Sequence, residues 1–242
     1  MTNIILVRHG QSEWNAKNQF TGWVDAGLSN KGKHEAKIAG ELIKNLNIKI
    51  SNSYTSYLRR AKNTLEIILN QIKDKKILIN EAWELNERHY GSLTGLNKAE
   101  TKIRLGEDVY KNYRRSWDKA PPPIEKNSFY LKEFSKLNID IPVNKVPLTE
   151  SLKDTYDRVI PFYKEIIQPQ INLGKNILIA AHGNSLRALS KYLFNISNNK
   201  INMLEIPTGN PLCIEFNNDY SKVINTFYLD DKRKEKLYFN EK

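Results

Sequence analysis

The chain has 242 residues, with 38 Lys and Arg against 27 Asp and Glu, a formal net charge of +11 and one cysteine. That length can bury a substantial core, and it suits one α/β domain over 1–242 carrying an insertion better than two full domains. No apolar run is long enough to span a bilayer, the N-terminus lacks a basic-then-apolar leader pattern, and the lone Cys213 has no internal disulfide partner. A cytoplasmic chain without membrane contact is expected. The lysines are scattered rather than gathered with aromatics on one helix, so the charge favours steering of small anionic substrates over nucleic acid.

Residues 3–15 read Asn-Ile-Ile-Leu-Val-Arg-His-Gly-Gln-Ser-Glu-Trp-Asn. The unbroken apolar run at 4–7 is the pattern of a strand covered on both faces in a parallel sheet. It delivers Arg8, His9 and Gly10 to its C-terminal edge, where open α/β sheets bind ligands. Gly10 is expected to let a ligand approach the backbone. His9 is a side chain able to act as a nucleophile near neutral pH, and the arginine beside it suits a phosphate-like anion. Residues 13–27 read as a loop lining the site. Ser29 is a fitting N-cap for a helix to about Asn45, with Ala36, Ala39, Leu42, Ile43 and Leu46 as its apolar stripe and His34 on the solvent side. A short strand at 53–56 follows, and Ser56 is placed to cap a helix over 58–72. Its start carries Arg59, Arg60 and Lys62 against the helix dipole, where a bound anion would hold one of them.

Residues 76–79 read as another strand. The stretch 83–91, Trp-Glu-Leu-Asn-Glu-Arg-His-Tyr-Gly, packs acid, base and aromatic groups too densely for plain surface. Glu87 is a candidate proton donor there, with pairing to Arg88 as the alternative. From 96 to about 146 the core pattern loosens into a lid-like insertion, with short helices at 98–105 and 107–117 and an extended Pro121-Pro122-Pro123. Within it Lys98, Arg114 and Arg115 read, on composition alone, as a solvated face. A helix over 150–167 buries Leu152, Tyr156, Val159, Ile160 and Tyr163, with Pro161 as a bend. Residues 175–186 repeat the opening construction, an apolar run ending in His182-Gly183, so that two imidazoles could share one sheet edge. A helix from Ser185 begins just after, and its backbone N–H groups form a ready anion site. Strands at 212–216 and 223–229 follow a turn at 207–211. Cys213 reads as a small buried hydrophobe, and 230–242 as a charged tail, either mobile or lying over the surface.

Arg8-His9-Gly10, Phe20-Thr21-Gly22-Trp23, Thr55-Ser56-Tyr57-Leu58-Arg59-Arg60-Ala61, Leu85-Asn86-Glu87-Arg88-His89-Tyr90-Gly91, Gly95-Leu96-Asn97-Lys98-Ala99-Glu100, Glu150-Ser151-Leu152-Lys153-Asp154-Thr155 and Ala181-His182-Gly183-Asn184-Ser185-Leu186-Arg187 run in order through most of the chain. Together they resemble the cofactor-dependent phosphoglycerate mutases of the histidine phosphatase superfamily. The resemblance implies an α/β fold with a mostly parallel central sheet, helices on both faces and a helical lid. It implies that His9 carries the phosphoryl group, that Arg8, Arg60 and His182 hold the phosphate oxygens with Asn15 and the Gly183 backbone, and that Glu87 is general acid and base. Tyr90, Lys98, Arg114 and Arg115 would hold the substrate's carboxylate and distal phosphate, with Thr21, Gly22 and Asn184 completing the wall.

It also implies 2,3-bisphosphoglycerate as the phosphoryl donor that primes His9, a small phosphorylated substrate, no metal, and a homodimer. The chemistry is consistent with this, because fixed cations and N–H groups stabilise a phosphoryl group in transit. Cationic neighbours also help to keep His9 deprotonated for attack. The sequence departs from the family pattern at Gln11, where an acid is common, in the shorter segment 124–146, and in the short tail after Leu229. Alternatives are a histidine phosphatase or bisphosphoglycerate synthase of the same superfamily, and a non-catalytic basic protein binding nucleic acid.

Overall fold

A computed structural model describes residues 2–74, 76–135, 141–217, 219 and 222–238. Its strands are β1 (Thr2–Arg8), β2 (Ile50–Thr55), β3 (Leu78–Glu81), β4 (Asn176–Ala181), β5 (Leu212–Phe216) and β6 (Val223–Tyr228), in the spatial order β3-β2-β4-β1-β5-β6. The first four in that order run parallel, while β5 and β6 add an antiparallel flank. β1 lies inside the sheet with Ile4, Ile5, Leu6 and Val7 fully buried, which is why its sequence has no polar alternation.

The helices are α1 (Glu13–Ala16), α2 (Asn30–Asn45), α3 (Arg59–Ile72), α4 (Lys98–Leu105), α5 (Glu107–Arg115), α6 (Phe129–Ser135), α7 (Leu152–Phe162), α8 (Gln168–Asn172) and α9 (Gly183–Leu193). Ile5 and Val7 point to one face, against Ala39 and Ile43 of α2 and Leu65 and Ile68 of α3. Ile4 and Leu6 point to the other, against Val159 and Ile160 of α7 and Leu186 and Leu189 of α9. Each such Ile, Leu or Val side chain contributes on the order of 1.5–3 kcal/mol by leaving water. Cys213 is buried on β5, and burial pushes its thiol up to about 12.

Several expectations from the sequence need correction. Residues 13–27 are not wholly loop: Ser12 caps the single turn α1 by accepting from the Asn15 N–H, and Asn15 Oδ1 accepts from the Ser12 N–H in return. β3 begins two residues later than the apolar run suggests, and its four residues are all exposed because it is an edge strand. Ser56 does not cap α3; Leu58 occupies that position, and Ser56 accepts the Leu58 N–H. The helix after Ser151 does not end near 167, since a π turn at Tyr163–Ile167 follows Pro161 and leads into α8. α9 starts at Gly183, two residues early, with His182 as its N-cap.

The segment 124–146 contains α6, while its stretch 136–140 lies outside the described residues. The tail is anchored where described: Arg233 pairs with Asp230 and donates to the Thr208 and Gly209 carbonyls, while Leu237 and Tyr238 pack on the core. Residues 239–242 lie outside the described residues. Among the described residues no helix is long and apolar enough to cross a membrane.

Candidate active site

The parallel register of β1 and β4 pairs Arg8 with Ala181, so the next residue on each strand is a histidine. The His9 N–H donates to the Ala181 carbonyl at 2.9 Å, and the His9 and His182 rings meet edge to face with centroids 4.9 Å apart. His9 Nδ1 lies 2.7 Å from the Gly10 carbonyl, which only accepts, so Nδ1 carries the proton. Burial, then Arg60 and Arg8, hold the His9 ring well below the usual imidazole value, overriding the carbonyl's opposite pull. A neutral ring protonated at Nδ1 leaves the Nε2 lone pair for attack. His182 is wholly buried behind His9, neutral for the same reason, with Nε2 2.6 Å from Ser56 Oγ.

Gly10 does not face a ligand. A Cβ there would lie 2.1 Å from the Gly32 carbonyl oxygen, so its glycine is required by packing on α2. Gly183 does face the site: a Cβ there would lie 3.4 Å from Arg8 Nε and 3.8 Å from Glu87 Oε2.

One cavity with about 650 Å³ of empty space lies over His9, and every residue to which the resemblance gives a role lines it except His182, while Gly10, Arg59 and Lys62 do not. Arg8 donates through Nη1 to the Ile206 carbonyl at 2.9 Å. Arg60 is buried at the loop, donating Nη1 and Nη2 to the Val24 and Gly22 carbonyls at 2.7 Å, which fixes Thr21 and Gly22 at the rim. Burial lowers its guanidinium to about 10, with Glu87 and Asp25 opposing. Asn15, locked by its capping box, presents its amide from α1.

Glu87 does not pair with the Arg88 side chain. Its Oε1 accepts from the Arg88 N–H at 2.8 Å and from the Asn184 N–H, in the first turn of α9, at 3.1 Å. The helix end expected to take a ligand anion therefore holds this carboxylate. The Arg88 guanidinium turns away and donates to the Tyr113 and Arg114 carbonyls at the C-terminus of α5. Arg114 and Arg115 consequently line the cavity, correcting their reading as a solvated face. Phe20, Leu93 and Tyr110 form the small core beneath them.

Asn184 Nδ2 donates to Tyr90 Oη at 3.1 Å. Burial would raise the Tyr90 phenol, but Arg88, Lys98 and Arg114 bring it below its usual value. Burial, with help from Arg114, lowers Lys98.

Arg187, Glu205 and Ile206 also line the cavity and were not singled out. Arg187 lies one helical turn after Asn184 and donates to its Oδ1 at 2.8 Å, a spacing that could have flagged it. Burial lowers Arg187 to about 9, beside Arg115 and Arg88. Glu205 pairs with Arg115 across 90 positions, for which the sequence carries no local signal. Equally unannounced is the buried bidentate pair of Arg158 with Glu150. Arg158 also donates to the carbonyls of Glu84, Asn86 and Glu87, and Glu150 accepts the His89 N–H, so the pair braces the Glu87 segment.

Over residues 4–227 the sequence matches the histidine phosphatase superfamily (branch 1), and the chain belongs to that superfamily. Two curated relatives carry the name 2,3-bisphosphoglycerate-dependent phosphoglycerate mutase. That of Pelagibacter ubique is 51% identical over 239 residues, covering 99% of this chain and 100% of the relative. That of Treponema denticola is 50% identical over 234 residues, covering 96% and 93%. Among solved structures, a mycobacterial glucosyl-3-phosphoglycerate phosphatase with VO3 superposes with a TM-score of 0.71 at 19% identity, covering 94% of this chain and 97% of that one. The alpha-ribazole phosphatase of Shigella flexneri gives 0.66 at 19%, covering 92% and 95%. At those identities the two structures speak for the fold alone.

Proposed function

We propose that this enzyme is a 2,3-bisphosphoglycerate-dependent phosphoglycerate mutase that interconverts 3-phosphoglycerate and 2-phosphoglycerate through a phosphohistidine at His9. The observation that carries the reading is a neutral imidazole, with Nε2 available, at the floor of a cavity walled by Arg8, Arg60, Lys98, Arg114 and Arg115. Names of relatives about half identical over nearly the full length support the same reading.

The donor set fits a ligand with two separated anionic groups. Arg8 Nε and Thr21 Oγ1, buried atoms of two residues that line the cavity, have no hydrogen-bond partner among the described residues, and His182 Nδ1 is equally unpartnered. Buried polar atoms of this kind are costly unless something completes them, and phosphate oxygens would. When bound, 2,3-bisphosphoglycerate would supply the phosphoryl group that primes His9.

In this reading His9 attacks through Nε2, and Arg8, Arg60, His182, Asn15 and the Gly183 backbone stabilise the charge on the oxygens in transit, without metal. Glu87, beside Arg8 and held by two backbone N–H groups, gives the proton to the leaving oxygen and takes it back on return. Tyr90, Lys98, Arg114 and Arg115 hold the far carboxylate or phosphate, with Thr21, Gly22 and Asn184 as wall. Retention by the far cations between the two transfers separates isomerisation from loss of phosphate.

The test is a coupled 3-phosphoglycerate to 2-phosphoglycerate assay in EDTA, with and without 2,3-bisphosphoglycerate, with released phosphate measured in parallel. The expected result is EDTA-resistant isomerisation that needs the bisphosphate. Phosphate release without isomerisation would overturn it. The enzyme is proposed to be cytoplasmic and a homodimer. The exposed edge strand β3, with Leu78 66% and Ile79 47% exposed, is a surface on which a second copy could add. Analytical ultracentrifugation of the protein and of Leu78→Lys tests the dimer.

A further inference from the structure

Among the described residues, two carboxylates line the cavity, and they are held in opposite ways. Glu87 is 8% exposed and its Oε1 is fixed by two backbone N–H donors. Glu205 stands at the far wall, its side chain 43% exposed, in an ion pair with Arg115. Its backbone is fixed: the Glu205 carbonyl accepts from Tyr228 Oη, and the next carbonyl, Ile206, holds Arg8. The carboxylate is therefore presented to Arg115 from a wall that does not depend on the insertion carrying that arginine.

An ion pair this open to solvent is weak, so a ligand anion can displace it. A carboxylate has no donor with which to compensate an arriving phosphate, and once displaced it repels what took its place. The penalty grows with the negative charge that the ligand places at the Arg115 end.

We propose that Glu205 is a specificity-determining residue that competes with the ligand's far anionic group for Arg115, and so holds down affinity for doubly phosphorylated ligands relative to singly phosphorylated ones. This rests on the cavity's reading as a phosphoglycerate site. Discrimination here comes from an opposing charge rather than from a missing contact. Such a residue keeps a site rich in arginine from trapping its most highly charged occupant.

The test is calorimetric binding of inorganic phosphate, 3-phosphoglycerate and 2,3-bisphosphoglycerate to the wild-type protein and to Glu205→Gln, which keeps the shape and removes the charge. Glu205→Gln should bind the bisphosphate about two- to fivefold more tightly, the scale of an exposed charge pair, with a smaller gain for 3-phosphoglycerate and none for phosphate. In an Arg115→Gln background the gain should shrink. Weaker bisphosphate binding by Glu205→Gln would overturn the proposal and make Glu205 a support for Arg115; so would an equal gain for all three ligands. Wild-type protein that binds phosphate but neither phosphoglycerate, and does not isomerise, would bring down the functional reading itself.

Discussion

The two ends of the cavity are built differently. At the His9 end the groups follow directly from two adjacent parallel strands, β1 and β4, whose residues are buried and whose hydrogen-bond register sets the imidazoles edge to face. At the other end Lys98, Arg114 and Arg115 reach in from short helices that rest on a small separate core. The end of α5 that carries the two arginines is held by the Arg88 guanidinium on its carbonyls and by an open ion pair rather than by a sheet. A site built on packed strands can place a reacting atom closely, whereas long side chains on short helices adapt to different anions and are easily tuned. In the proposed function, chemistry belongs to the first end, and retention and selectivity to the second.

The greatest loss is expected at His9. His9→Ala should lower turnover by at least about 10⁴-fold and abolish acid-labile labelling of the protein by phosphate, measured with radiolabelled donor. Substantial turnover would mean that the nucleophile lies elsewhere.

The next largest effect should come from the brace beneath Glu87. Arg158→Met strands the buried Glu150 carboxylate and should cost about 3–5 kcal/mol in urea unfolding. Lys153→Met, which removes the exposed pair with Asp157, should leave the urea midpoint almost unchanged. Similar losses at both positions would show that the site rests on no special internal support.

At the far end, Arg115→Ala should raise the KM for 3-phosphoglycerate by about ten- to a hundredfold, the value of a hydrogen bond to a charged group. It should also increase phosphate release relative to isomerisation. If that ratio is unchanged, the far wall does not retain the bisphosphate.

The smallest effect sharpens the picture of the buried histidines. Burial keeps His89, with Arg158 nearby, down to about 4, and holds His9 and His182 well below the usual value. As pH falls below about 6.5 the unfolded chain binds protons that the folded chain refuses, so stability falls toward pH 4. His89→Gln should flatten that slope in a series of urea titrations from pH 7 downward. An equal slope would mean that His89 takes up its proton as readily in the folded protein as in the unfolded chain.

Much of the near end was legible because the strand signal and the chemistry coincide. An apolar run that ends in Arg8-His9-Gly10, repeated at His182-Gly183, states both a buried strand and what stands at its edge. The far end was legible only by resemblance, since composition alone assigns Arg114 and Arg115 to solvent. Gly10 shows a local reading that misled: the need for glycine was correct, but the neighbour that requires it is Gly32 and not a ligand.

By itself the sequence determined the strands and helices that bury apolar faces, and the identity of the groups that could carry phosphate, because periodicity and residue chemistry are local properties. Tertiary structure alone decided which charges meet. Glu205 reaches Arg115 from 90 positions away, Arg158 anchors Glu150 beneath Glu87, and the N-terminus of α9 holds Glu87. Such pairings depend on how the elements pack, and charges distant along the chain carry no periodicity by which to find each other.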